Sequence, residues 1–424
     1  MEQTDHGNNN RIRGYFWNTF AGVINASEAV VMSIVVTRIG TVSDAGVLTL
    51  AFSVGNLLLI VGKFGMRGFQ VTDVSNRFSA GTYLKSRIIT VILMFSLSVV
   101  YLICARKING FALDKCEDVF YISGIYMTEA FEDVIWGNYQ KEGRIDVGAK
   151  MFSLRWVVIL VGFMLSMMVT GKMAQSLRLC FVLSVFVLFI MIHIGKLMDG
   201  FLSIGKIDKW EDVPELFIQT LPFFVMGFCS MYLNNAAKFA VSNMYSDEVL
   251  ACFGFVSMPV FVIGLLNNFV YQPELLSLAQ LWDKKDKIYF NRRVWKQMNI
   301  VFVISIVCVF GAYICGIPVL SFIYDTDLAD YLKELLILQV AGGFLALTGF
   351  LSAILTIMRS QRMMLFGYVV TMFLSIIIVY PMAGSWGTMG ASIGFLGCMI
   401  FLCILYFCLY LIKINDFVCT NKRG

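Results

Sequence analysis

AGVLTLAFSVGNLLLIVGKFGMR, residues 45–67, runs for eighteen uncharged residues before Lys63 appears. At 1.5 Å per residue that run reaches about 27 Å, close to the ~30 Å hydrocarbon core of a bilayer. A soluble helix would alternate polar and apolar faces, and this one does not. Stretches of similar length and polarity recur near 15–38, 88–105, 118–138, 152–171 and 176–196, then near 216–242, 249–272, 298–323, 332–357, 363–383 and 388–412. Each must be a helix, because hydrocarbon satisfies no backbone donor. The chain is therefore an all-α polytopic membrane protein of about twelve spans. Its 58% hydrophobic and 14% charged residues agree, as does a mean hydropathy of +0.77, values outside the soluble globular range.

Charge in the gaps sets the orientation. Arg11 and Arg13 precede the first span; Arg77, Lys85 and Arg87 follow the second; Lys141, Arg144 and Lys150 follow the fourth. Lys206 and Lys209, then the group from Lys284 to Lys296, then Arg359 and Arg362 continue the alternation. The positive-inside rule makes these gaps, and both chain ends, cytoplasmic. The net charge of +5 is thereby topological and implies no nucleic-acid partner. The first apolar segment is too long for a cleaved leader and reads as a retained anchor. Eleven cysteines, most of them inside spans, lack metal-ligand spacing, so no metal and no cofactor is expected.

The sequence divides into an N-terminal six-helix lobe (1–196), a polar cytoplasmic linker (197–215), a C-terminal six-helix lobe (216–412) and a cytoplasmic tail (413–424). Val42-Ser43-Asp44 before the second span matches Tyr245-Ser246-Asp247 before the eighth, the trace expected of a parallel repeat. Pro222, Pro259 and Pro318 predict bends, and Gly342-Gly343 predicts a loosened tenth span.

Function has to come from groups that do not belong in lipid. Glu28 lies mid-span with Asn25 one turn before it, and Glu129, Glu132 and Asp133 share one helix face at i, i+3 and i+4. Arg155 begins the fifth span within reach of Glu132 or Asp133, an ion-pair group at the inner mouth. Arg38, Lys63, Arg67 and Lys238 complete the cation set; those close to a span end can also snorkel to the interface.

The segments Phe64 to Asp73, Gly137 to Arg144 with Arg155, Tyr271-Gln272-Pro273-Glu274, Ile357 to Gln361 and Gly387 to Ser392 resemble the Wzx-type polysaccharide flippases. These form the lipid-linked oligosaccharide branch of the multidrug/oligosaccharidyl-lipid/polysaccharide exporter superfamily. The resemblance implies two six-helix bundles around a V-shaped central cavity, in a bacterial plasma (inner) membrane. It implies flipping of an undecaprenyl-pyrophosphate-linked oligosaccharide for surface polysaccharide, capsule or O-antigen, beside a sugar polymerase and glycosyltransferases of the same pathway. Arg38, Lys63, Arg67, Arg155 and Lys238 would then meet the anionic substrate, while Glu28, Asn25 and Glu129 would couple a proton or sodium ion or bind sugar. One departure stands out: Lys238 follows Ala236-Ala237, where family members often carry an acid.

Three other readings stay open. A cation-coupled multidrug antiporter of the same superfamily would share the fold. A membrane sugar polymerase or ligase would need a sizeable outer loop, and the longest here is roughly the dozen residues from Arg106 to Asp118. A scaffold would dock its enzymes on the basic loop around Trp282, Tyr289, Phe290 and Trp295, which reads more simply as an amphipathic segment on membrane lipid.

Overall fold

The computed structural model describes residues 2–199, apart from 74 and 76, and residues 210–420; Lys206 and Lys209 lie outside them. The chain divides into two compact units, Met1–Phe228 and Cys229–Gly424. The division falls inside a helix, later than the linker expected at 197–215. Leu216 joins a buried cluster with Phe78, Tyr83 and Val134, and Phe224 stacks on Phe64 at 4.3 Å, so the start of that helix packs with the first unit.

The first unit contains α1 (Glu2–Ile39), α2 (Val42–Lys63), the short α3 (Met66–Thr72), α4 (Ala80–Ile108), α5 (Leu113–Lys141), α6 (Ile145–Thr170), α7 (Met173–Asp199) and the beginning of α8 (Asp212–Met244). Its centre is α2 against α5, with α1 on α6 and α6 on α7. Local chemistry sets the ends. Thr41 caps α2, its hydroxyl accepting from the Asp44 N–H at 3.1 Å while the Asp44 carboxylate accepts from the Thr41 N–H at 3.2 Å. Phe64 leaves the helix in the left-handed region, and Gly65 follows at φ 64°, which restarts the chain as α3. A Cβ at Gly65 would also sit 2.8 Å from Phe223 Cβ, so both conformation and space exclude a side chain there.

The second unit continues α8 and adds α9 (Asp247–Ser257), α10 (Pro259–Tyr271), α11 (Leu275–Asp283), α12 (Lys287–Gly311), α13 (Ile317–Tyr324), α14 (Leu332–Ile357) and α15 (Gln361–Thr420). α14 is its hub, touching α9, α10, α12 and α15. α15 is two limbs joined where Trp386 and Gly387 leave helical geometry.

Ten described helices are long and apolar enough to cross a membrane. Separating the two limbs of α15 and adding α5, whose buried charges lower its hydropathy, gives the twelve spans expected, in a multi-pass membrane protein.

Proline acts unevenly. Pro259 separates α9 from α10, and Pro318 opens α13 after a π turn at Ala312–Gly316, but α8 runs unbroken through Pro222. The Gly342-Gly343 pair corrects its expectation: α14 is continuous there. Added Cβ atoms would lie 3.1 Å from Val260 Cγ1 and 2.9 Å from Ser305 Cβ. Small residues let membrane helices approach closely, and that is the role of the pair. Ser43 lies inside α2, whereas Ser246 immediately precedes α9, so the two serines of the short sequence match hold different helix positions.

Candidate functional site

The acids of α5 organise the first unit. Glu129, Glu132 and Asp133 are 2%, 1% and 5% exposed, and their helical spacing aims all three at surrounding helices. Lys63 at the end of α2 reaches Glu129 Oε1 at 2.8 Å. Arg155 on α6 donates from Nε to Glu132 Oε2 at 2.7 Å and lies 3.6 Å from Glu129 Oε2. Arg87 on α4 donates to Asp133 Oδ2 at 2.8 Å, and Arg67 on α3 lies 3.6 Å from Asp133 Oδ1. Neutral groups complete the shell: Trp156 Nε1 gives to Glu129 Oε2 at 3.1 Å, and Ser184 Oγ on α7 accepts from Arg155 at 3.2 Å. The Arg67 guanidinium bonds Gln140 Oε1 at 2.8 Å and stacks on Trp136 at 3.9 Å. Burying charge is tolerable only when it is paired and hydrogen-bonded in this way, and removing one partner strands the other.

Glu28 stands apart from that exchange. It is 4% exposed on α1. The Tyr126 hydroxyl on α5 donates to its Oε1 at 2.5 Å. Its Oε2 has no partner, and no ion pair to it forms among the described residues. Asn25, one turn earlier, is exposed. A buried carboxyl held by a neutral hydroxyl can change protonation without breaking a salt bridge, which none of the other three acids can do.

The second unit carries the opposite arrangement. Lys238, on the part of α8 beyond Pro222, lines a cavity of about 240 Å³ between α8, α9, α10, α14 and α15. Asn234, Asn235 and Ser257 add polar groups, Phe253, Val260 and Phe395 apolar ones, and no Asp or Glu lines it. Among the described residues Lys238 makes no ion pair. Glu334 on α14 is buried in the same unit, but it accepts from Thr388 Oγ1 at 2.9 Å and does not line this cavity. Arg38 is exposed at the end of α1.

Comparison with solved structures supplies the fold. An inward-facing multidrug resistance MATE transporter of the MOP superfamily superposes with a TM-score of 0.73 at 14% identity, covering 93% of this chain and 96% of its own. The eukaryotic MATE transporter AtDTX14 gives 0.66 at 13% identity, covering 96% of this chain and 99% of its own. This is the MATE transporter fold. A MOP superfamily transporter from Pyrococcus furiosus, described as having a binding pocket of reverse polarity, gives 0.56 at 12% identity, covering 96% of this chain and 95% of its own. No protein-family profile and no curated protein matches the sequence.

On the MATE fold, the residues singled out in sequence separate into two places. Glu28, Lys63, Arg67, Glu129, Glu132, Asp133 and Arg155 converge in the first unit, whereas Lys238 sits alone in the second. Arg87 was read as a juxtamembrane charge and is instead fully buried, its guanidinium also bonding the Gly62 carbonyl. The signal was present: Tyr83, Arg87, Thr90 and Met94 fall at helical spacing and are all buried. Tyr126, Trp156 and Ser184 carry no such signal, because hydroxyls and indoles are unremarkable in membrane helices.

Proposed function

We propose that this chain is a membrane transporter that carries an anionic, lipid-linked oligosaccharide between leaflets by alternating access, in a bacterial plasma membrane with both chain ends cytoplasmic. The observation that carries this reading is Lys238, a cation in a cavity of about 240 Å³ without a carboxylate in its wall. A pyrophosphate head group would supply the missing counter-charge. Arg38 is exposed, and Lys63 and Arg67 keep side-chain exposures of 30% and 26%, so these three remain accessible for secondary contacts. Arg155, with no exposed surface and two carboxylate neighbours, offers a substrate least. Glu28 is the better of the two coupling candidates, since Glu129 is held by Lys63 and Trp156. Pathway glycosyltransferases and a polymerase would be the partners supplying and consuming the unit.

The second reading is cation-coupled multidrug antiport. It is favoured by the solved MATE multidrug transporters that share the fold and by the unpaired acid at Glu28.

The test is deletion of the gene followed by mass spectrometry of undecaprenyl-linked intermediates, with complementation by the intact chain and by Lys238→Ala. Accumulation of a complete lipid-linked unit, rescued only by the intact chain, is expected. An unchanged lipid pool together with new sensitivity to cationic dyes would replace this reading with drug antiport.

A further inference from the structure

One face of α12 changes character along its length in a fixed order. Arg292, Lys296, Asn299, Val303, Ile306 and Phe310 alternate at spacings of four and three residues, and every one of them is exposed. That spacing draws a single stripe along a helix. Two cations lead, an amide follows, and the rest is hydrocarbon. Among the described residues neither Arg292 nor Lys296 forms an ion pair. Trp295 and Tyr289, 42% and 60% exposed, stand beside them as interfacial aromatic side chains do.

The apolar end of the stripe is concave. Ile306 and Phe310 form one wall of a groove of about 440 Å³ whose other wall is Val340, Phe344 and Leu347 of α14. Gly343 makes the floor by letting α14 approach Ser305. From Phe302 to Tyr313, both lining it, the groove runs about 16 Å, roughly one leaflet's depth of hydrocarbon.

We propose that this face is a binding site for one anionic phospholipid. The phosphate would lie at Arg292 and Lys296, an ester carbonyl would accept from Asn299, and one acyl chain would fill the groove. Charge complementarity selects the head group, and the order of the stripe matches the order of groups along such a lipid. A smooth lipid-facing helix would have neither the cationic crown nor the groove. The site is separate from the Lys238 cavity and stands whatever the transported substrate is.

The experiment is native mass spectrometry of the intact chain released from nanodiscs containing equal phosphatidylglycerol and phosphatidylcholine. Retention of one phosphatidylglycerol per chain is expected, favoured about thirty-fold, which is two charges at about 1 kcal/mol each. Arg292→Gln with Lys296→Gln should abolish the preference while phosphatidylcholine retention stays. Val340→Trp, which fills the groove from an exposed position, should lower retention of both lipids about tenfold. Absence of the preference in the intact chain, or its survival in the Arg292→Gln, Lys296→Gln protein, overturns the proposal. Equal loss of the preference in Lys284→Gln with Lys285→Gln, outside the stripe, would also overturn it by showing diffuse attraction to the basic loop.

Discussion

The two units treat buried charge in opposite ways. In the first, Glu129, Glu132 and Asp133 are met by Lys63, Arg67, Arg87 and Arg155 drawn from four other helices. In the second, Lys238 faces a cavity with no acid in its wall. Pairing ties helices together and leaves little for a ligand, while an uncompensated charge destabilises its own unit until something arrives. The contrast separates a structural network from a position suited to binding, although both look alike as charged residues within apolar runs.

The comparison breaks most visibly in the first unit. We predict that Asp133→Ala, which strands Arg87 and Arg67, costs about 3–5 kcal/mol and removes most folded protein in detergent size-exclusion chromatography. Arg155→Met combined with Glu132→Gln should recover much of what Arg155→Met alone loses. A fully folded Asp133→Ala protein would contradict the structural role. In the second unit the outcome is reversed: Lys238→Gln should leave thermal stability equal or higher while lowering transport about tenfold, equivalent to about 1.4 kcal/mol. Unchanged transport would remove Lys238 from the binding role.

Glu28 sharpens the contrast within the first unit, because unlike Glu129, Glu132 and Asp133 it makes no ion pair among the described residues. Glu28→Gln keeps an acceptor for Tyr126, so stability should change by less than about 1 kcal/mol, whereas the pH dependence of transport should flatten. Transport with an unaltered pH profile would exclude coupling through this carboxyl.

The smallest effect is expected at Asp73, in the turn after α3. Burial there pushes its carboxyl upward, but the backbone N–H groups of Arg77 and Phe78, then Lys141 and Ser75, outweigh this and hold it below the usual aspartate value. Its stabilising contribution is therefore complete above the unfolded pKa of about 3.9 and is lost as pH falls through the lower folded value. Asp73→Asn should lower the melting temperature slightly at pH 7, and the difference from the parent should shrink below about pH 4. A difference constant across that range would mean the carboxylate charge is not involved.

How much of this was legible in the sequence follows from which signals are one-dimensional. Hydropathy located the spans because lipid imposes it residue by residue, and α5 was found despite its acids because the apolar run around them is long enough. The i, i+3, i+4 spacing of Glu129, Glu132 and Asp133 correctly placed them on one face. Their partners are only half visible, since pairing depends on which helices are neighbours: the sequence puts Arg155 within reach of Glu132 or Asp133 and the structure pairs it with Glu132, whereas Arg87, a loop charge by sequence, is buried. Gly342-Gly343 misled for a similar reason. A glycine pair reads as flexibility until the close approach of Val260 and Ser305 is seen. The isolation of Lys238 from any carboxylate depends on the walls of its cavity, which four other helices supply.

Short turns between helices carry a practical consequence. Gly40-Thr41 and Gly171-Lys172 separate consecutive helices in the first unit, and Tyr245-Ser246 does so in the second. Two residues give an antibody loop almost nothing to grip, and a paratope needs some 800 Å² of its target. Conformation-selective binders raised against this protein should therefore avoid these three turns and find more relief and charge on α11 and the basic start of α12.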